Sequence, residues 1–204
     1  TALRTGQFAA LLNTQVVAIT TQQISGIESD DLNAFSTAQV QSLLVSQIRV
    51  LTPGQVEKLD SRSVAVLTDP QVSALTEQQV SVLNASQLQS LSSGQEVALR
   101  TGQIAALSTE QITFLVTEDL AALTSAQILT LSAEQLIALT TDQHVALTPA
   151  QYGLFTSGQL MAVEPGDLAV LSGPQLRAIA SSKIKVLSSE QLVALNSDSL
   201  GAFA

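Results

Sequence analysis

Two ionisable side chains, Glu96 and His144, stand where the surrounding pattern calls for an aliphatic residue. A carboxylate or imidazole among apolar neighbours can do general acid–base chemistry once burial has moved its pKa. Each is followed by a valine, Val97 and Val145, and a small turn of a helix would bury the valine and release the polar group to solvent. That compensating swap is the expectation for both. The other candidates are acidic: Asp30-Asp31, Glu118-Asp119, and Glu164 with Asp167 three residues later. Near helix N-termini, carboxylates accept from orphan amides and meet the positive end of the helix dipole, so these acids read as caps. As Ca2+ ligands they would be weak, since the ligand density and the Gly-containing loop of an EF-hand-like site are missing.

The remaining chemistry is bounded by composition. One His and no Cys in 204 residues leave no thiolate zinc site, disulfide or Cys nucleophile. The sequence contains neither a Gly-rich phosphate loop nor a nucleophile–base constellation. Catalytic, cofactor-binding and metal-ligating residues are therefore assigned as none, and the chain is expected not to be an enzyme. A net charge of −9 with only eight Lys and Arg argues against nucleic acid, which needs clustered positive charge; Lys58, Lys183 and Lys185 are too few to make a patch. Apolar runs such as Phe8-Ala9-Ala10-Leu11-Leu12 fall far short of the roughly 20 residues of a membrane-spanning helix.

All of these residues are positioned by one unit of eight. With Ser132 as position 1, Gln135 is position 4, Leu136 position 5, Ala138 position 7 and Leu139 position 8, and this frame runs from Ala2 to Ala204 without insertion or deletion. Position 4 is Gln in 19 of 25 units, the exceptions being Asp31, Ser63, Asp119, Asp167, Lys183 and Ser199. Position 8 is apolar in all 26 occurrences, Phe203 included, and position 5 is broken only by Glu96 and His144 among residues running to Leu200.

Position 1 is Ser, Thr, Asn or Asp in 17 of 26 units, which makes Ser/Thr-x-x-Gln a recurring capping box. The apolar residues at positions 8 and 5 flank that box as a hydrophobic staple. All five prolines, Pro53, Pro70, Pro149, Pro165 and Pro174, fall in the first turn, where proline is tolerated. Cap-poor units at Leu12, Leu44, Val116 and Ala180 carry Ser or Thr one or two residues later and are expected to start late. Arg4 and Arg100 head two copies of Arg-Thr-Gly-Gln, where Thr5 and Thr101 would take over the cap.

Each octad is thus expected to form a helix of about six or seven residues, about 10 Å long. One continuous helix is excluded because eight residues advance about 800°, so an apolar stripe would drift by about 80° per unit. Helices this short lie below the roughly 12–15 residues needed for isolated stability and must stack. The fold class is all-α: residues 1–204 as one continuous repeat solenoid of about 25 short helices, with positions 5, 7 and 8 facing inward. A β-solenoid is the alternative. Three or four octads per coil are both compatible with the pattern.

The tandem Leu-Thr-x-x-Gln-Val/Ile-x-Ala pattern, plain in Leu107-Ser108-Thr109-Glu110-Gln111-Ile112 and Leu139-Thr140-Thr141-Asp142-Gln143, resembles octapeptide-repeat tracts of very long bacterial proteins, several of them secreted or on the cell surface. The resemblance implies a spacer, scaffold or adhesin stalk in an extracellular setting. A solenoid segment without polar capping repeats leaves apolar end surfaces, so end-to-end or lateral self-association into filaments is also expected. A binding module for a protein, glycan or ion is the alternative. The chain begins and ends in phase without a start Met, and is read as a segment of a longer array whose targeting signals lie outside it.

Overall fold

A computed structural model describes residues 5–195; Ala2, Arg4, Ser199, Leu200, Phe203 and Ala204, named above, lie outside the described residues. The described residues form 24 short α-helices, one per octad, and no strand. The helices are four to six residues long, from Glu77–Val80 to Ala133–Ala138; half of them reach the six residues expected and the rest are shorter. The shorter ones stop early because position 7, and in the four-residue helices position 6 as well, joins position 8 in the bend.

Corners are made without glycine geometry. At one of them Leu139 sits at φ −58°, ψ 137° and Thr140 at φ −70°, ψ 159°, two consecutive extended residues that stop one helix and admit the next. No described residue has a positive φ. A final tight turn closes most of the helices, as where the Leu139 amide donates to the Leu136 carbonyl at 3.3 Å, so the bend costs only ordinary backbone conformations.

Two compact units are present, Thr1–Ala106 and Leu107–Ala204. Within each, a helix packs on the one three octads before it. In the first, Asn13–Ala18 packs against Thr37–Ser42 and Val45–Arg49 against Asp69–Ala74; in the second, Ala133–Ala138 packs against Ser157–Ala162 and Pro149–Leu154 against Gly173–Ala178. A coil is therefore three octads, or 24 residues, which resolves the choice the pattern left open.

Positions 5 and 8 form the core, with Leu88, Ile104, Leu136 and Leu160 fully buried, and Leu99, Leu131 and Leu139 nearly so. Position 7 is only partly inward, as Ala138 is half-buried. Position 4 is the unexpected interior residue: Gln55, Gln103, Gln135 and Gln159 are all buried. Burying so many amides requires that each be fully hydrogen-bonded, and the site below shows how.

Candidate functional site

Every helix leaves orphan amides at its start and orphan carbonyls at its end. One side chain serves both. Gln159 Oε1 accepts from the Thr156 amide at 2.9 Å, the capping-box half visible in the spacing. Its Nε2 donates to the Ile128 and Leu131 carbonyls at 2.8 and 3.1 Å, at the end of a helix in the coil before. The same pattern appears in the first unit, where Gln47 Oε1 takes the Leu44 amide at 2.7 Å and Nε2 reaches Val16 and Ile19 carbonyls at 2.9 and 2.7 Å. The 31- and 28-residue separations are one coil of 24 plus seven or four. Glu would cap the helix equally well but has no proton for the carbonyls when ionised, which accounts for Gln rather than Glu.

The glutamine also explains two of the four cap-poor units. Helices after Leu12, Leu44, Val116 and Ala180 begin in frame, at Asn13, Val45, Thr117 and Ser181, rather than late. At Leu12 and Leu44 the Gln half of the box persists, at 2.8 and 2.7 Å, so loss of the hydroxyl half does not move the start. Arg100 follows the same rule: its helix starts at Thr101, its amide donates to Gln103 Oε1 at 2.6 Å, and its guanidinium donates to the Leu75 carbonyl at 3.0 Å. Thr101 does not take over as cap.

Departures from Gln are repaired locally. Lys183 Nζ donates to the Gly153 and Phe155 carbonyls at 3.2 and 2.6 Å, matching the Nε2 role with a charge. At Ser63, too short for either task, Asn33 from the previous coil intervenes: its Oδ1 takes the Asp60 amide at 3.0 Å and its Nδ2 donates to the Lys58 carbonyl at 2.8 Å.

The expected swaps at Glu96 and His144 do not occur. Glu96 is 1% exposed and His144 0%, whereas Val97 and Val145 are 39% and 50% exposed. The octad frame holds each helix in register because Gln95 and Gln143 on the same turn are tied to the coil before, for example Gln143 to Ile112 and Leu115 carbonyls at 3.0 and 2.8 Å. Rotating the helix to exchange positions 5 and 6 would break those bonds.

His144 lies at the centre of a buried polar cluster. Its Nε2 is 3.2 Å from the Leu136 carbonyl and 3.6 Å from Asp167 Oδ2, and its Nδ1 is 2.9 Å from the Tyr152 hydroxyl. A carbonyl can only accept, so Nε2 carries the proton and Tyr152 donates to Nδ1. Asp167 Oδ1 accepts from the Thr141 hydroxyl at 2.7 Å. Asp167 stands in the Gln position of its octad and faces the coil containing Leu136, and the His144 N–H supplies the donor that a glutamine would have supplied. Burial pulls the His144 pKa below its ordinary 6.5, against an upward pull from Asp167, and pushes the Tyr152 phenol up. Burial thus favours the neutral imidazole.

The paired acids separate. Glu118 is exposed while Asp119 is buried, and Glu164 is exposed while Asp167 is buried; Asp30 is exposed and Asp31 half-buried. The exposed Glu118, Glu134 and Glu190 have pKa values held down by their own backbone amides and then by the hydroxyls of Thr117, Ser132 and Ser188, the behaviour of first-turn carboxylates. Among the described residues no group of three or more His, Cys, Asp or Glu could hold a metal ion, and no helix is long and apolar enough to cross a membrane.

Fold and site together define a class: a repeat solenoid of short helices whose interior polar groups bind its own backbone. Residues 24–61, in the first unit, and 115–149, in the second, match the ALTTAQ repeat, and the chain is similar to that repeat over those stretches. A comparison with curated proteins finds no match. The joining of His144, Tyr152 and Asp167 was missed from sequence. Their separations of 8 and 23 residues become meaningful only once a coil is known to hold three octads.

Proposed function

We propose that the chain is a structural repeat protein, a spacer or scaffold whose useful property is reach. The observation that supports this most is the recurrence of one interaction, Gln to the carbonyls 31 and 28 residues before it, in both units. Such a nearest-neighbour link lets octads be added without new interactions being invented. The position-4 glutamines are turned inward and occupied with backbone, and His144, Tyr152 and Asp167 are occupied with one another, with Thr141 and with the Leu136 carbonyl.

The extracellular or cell-surface setting rests on the resemblance to octapeptide tracts of bacterial proteins. Lateral self-association draws support from apolar residues exposed at position 6, including Leu129, Ile137 and Met161, which are 46%, 50% and 57% exposed.

Small-angle scattering on the chain and on a version lengthened by three octads tests the reading. A spacer gains about 8–10 Å in maximum dimension per added coil, the usual distance between packed helices. A maximum dimension unchanged by the insertion would rule out the spacer. Sedimentation over a range of concentrations reads self-association separately.

A further inference from the structure

His144, Tyr152 and Asp167 each depart from what their octad position usually holds, in three different octads, and the fold brings the three into one buried cluster. Departures that meet in space and satisfy one another form a single device rather than three accidents. Links on neighbouring helices are made by the amides of Gln143, Gln151, Gln159, Gln175 and Gln191, and amides do not titrate. This cluster links its coils through an imidazole, the one side chain with an ordinary pKa close to physiological pH.

We propose that His144, Tyr152 and Asp167 form an acid-sensitive joint, in which one added proton on His144 loosens the packing of the Thr141–Ala146 helix against Pro165–Ala169 while the amide links around it hold. In the neutral state every polar atom of the ring is used: Nε2–H on the Leu136 carbonyl, Nδ1 accepting from Tyr152. Protonation puts a hydrogen on Nδ1, so the Tyr152 hydroxyl must turn to accept it, with the His144 carbonyl at 3.4 Å as its own remaining acceptor, and a cation is left in a fully buried site. The charged and titratable groups on the elements packed around the ring are Glu118 and Asp119 on Thr117–Ala122, Glu134 on Ala133–Ala138, Asp142 on its own helix, Tyr152 on Pro149–Leu154, and Glu164 with Asp167 at Pro165–Ala169. The carboxylates favour the cation, Asp167 foremost; burial opposes it and outweighs them.

The test is made on the full chain, in two measurements. Imidazole NMR should show the Nε2–H tautomer and a titration midpoint below 6.5. Hydrogen exchange, corrected for intrinsic rates, should show that lowering the pH from about 7 to about 5, across the histidine range, strips protection from Thr141–Ala146 and Pro165–Ala169 while Ser125–Thr130 and Ser157–Ala162 keep theirs. The double variant His144→Leu/Asp167→Gln restores the common residues at both positions and should remove the selective loss. A midpoint at or above 6.5, a loss spread evenly over all helices, or a selective loss that survives in the double variant would overturn the joint. Should the double variant fail to fold, the two measurements on the unaltered chain decide the matter.

Discussion

Gln159 and Leu131 are 28 residues apart in the chain and 3.1 Å apart in the fold, joined by an Nε2–H donated to a carbonyl oxygen. The other end of the same amide accepts the Thr156 N–H. One side chain thus starts its own helix and finishes one in the coil before it. Its regular recurrence turns a string of helices too short to persist alone into a stack.

Leu136 is fully buried at position 5. Leu136→Ala removes its core packing and should cost about 2–5 kcal/mol, read as a lower denaturation midpoint. A change under about 0.5 kcal/mol, the range of surface substitutions, would contradict its burial.

Lys183 replaces glutamine and still reaches two carbonyls. Lys183→Met keeps the aliphatic stem and drops the donor, so urea denaturation should show a loss of about 1.5–3 kcal/mol, the range for a hydrogen bond to a charged group. Lys183→Gln should be close to neutral. Equal losses in the two variants would show that the donor is not what matters.

Asn33 bridges two coils by donating to Lys58 and accepting from Asp60. Asn33→Ala should cost about 0.5–1.5 kcal/mol per hydrogen bond at most, and faster amide exchange at Asp60 is its local signature. Unchanged exchange there would remove the bridge from the account.

Acid stability divides into two windows. The His144 pKa lies below 6.5 in the fold because of burial, so below about 6.5 the unfolded chain binds the extra proton and stability falls with falling pH until the folded value is passed. Glu118, Glu134 and Glu190, held below the ordinary 4.5 in the fold by their own amides, contribute stability above 4.5 that is lost only as pH drops through their folded values. Denaturation from pH 7.5 to 3, spanning the His and Glu ranges, should show a first decline that His144→Leu/Asp167→Gln abolishes and a later one that it leaves in place. A first decline unaltered in that variant would assign it to other groups.

Much of this architecture is legible in the octad. Ser132 and Gln135 announce a helix start, Leu136 and Leu139 a buried face, and Pro149 and Pro165 the first turn, because these are local constraints within eight residues. The second role of Gln135, donation to the Leu107 carbonyl at 2.9 Å, is not local, and without it neither the three-octad coil nor the burial of position 4 can be read. The same gap explains the misplacement of His144. Judged within its own octad it should turn outward, whereas the Gln143 bonds to the coil before hold it inside, where Tyr152 and Leu136 partner it.

The dual role of the glutamine is tested most directly by Gln159→Glu, followed by chemical denaturation at pH 7 and pH 5. A capping box alone treats Glu and Gln as equivalent. If Nε2 also ties Ile128 and Leu131, the introduced carboxylate keeps the cap, loses both donors and faces two carbonyls in the interior, so stability at pH 7 falls by about 3–5 kcal/mol, the range for a buried charge left without its partner. Burial raises the introduced carboxyl's folded pKa above its unfolded value, so the native state binds the proton first and part of the loss is regained at pH 5. A variant as stable as the unaltered chain at both pH values would contradict the account.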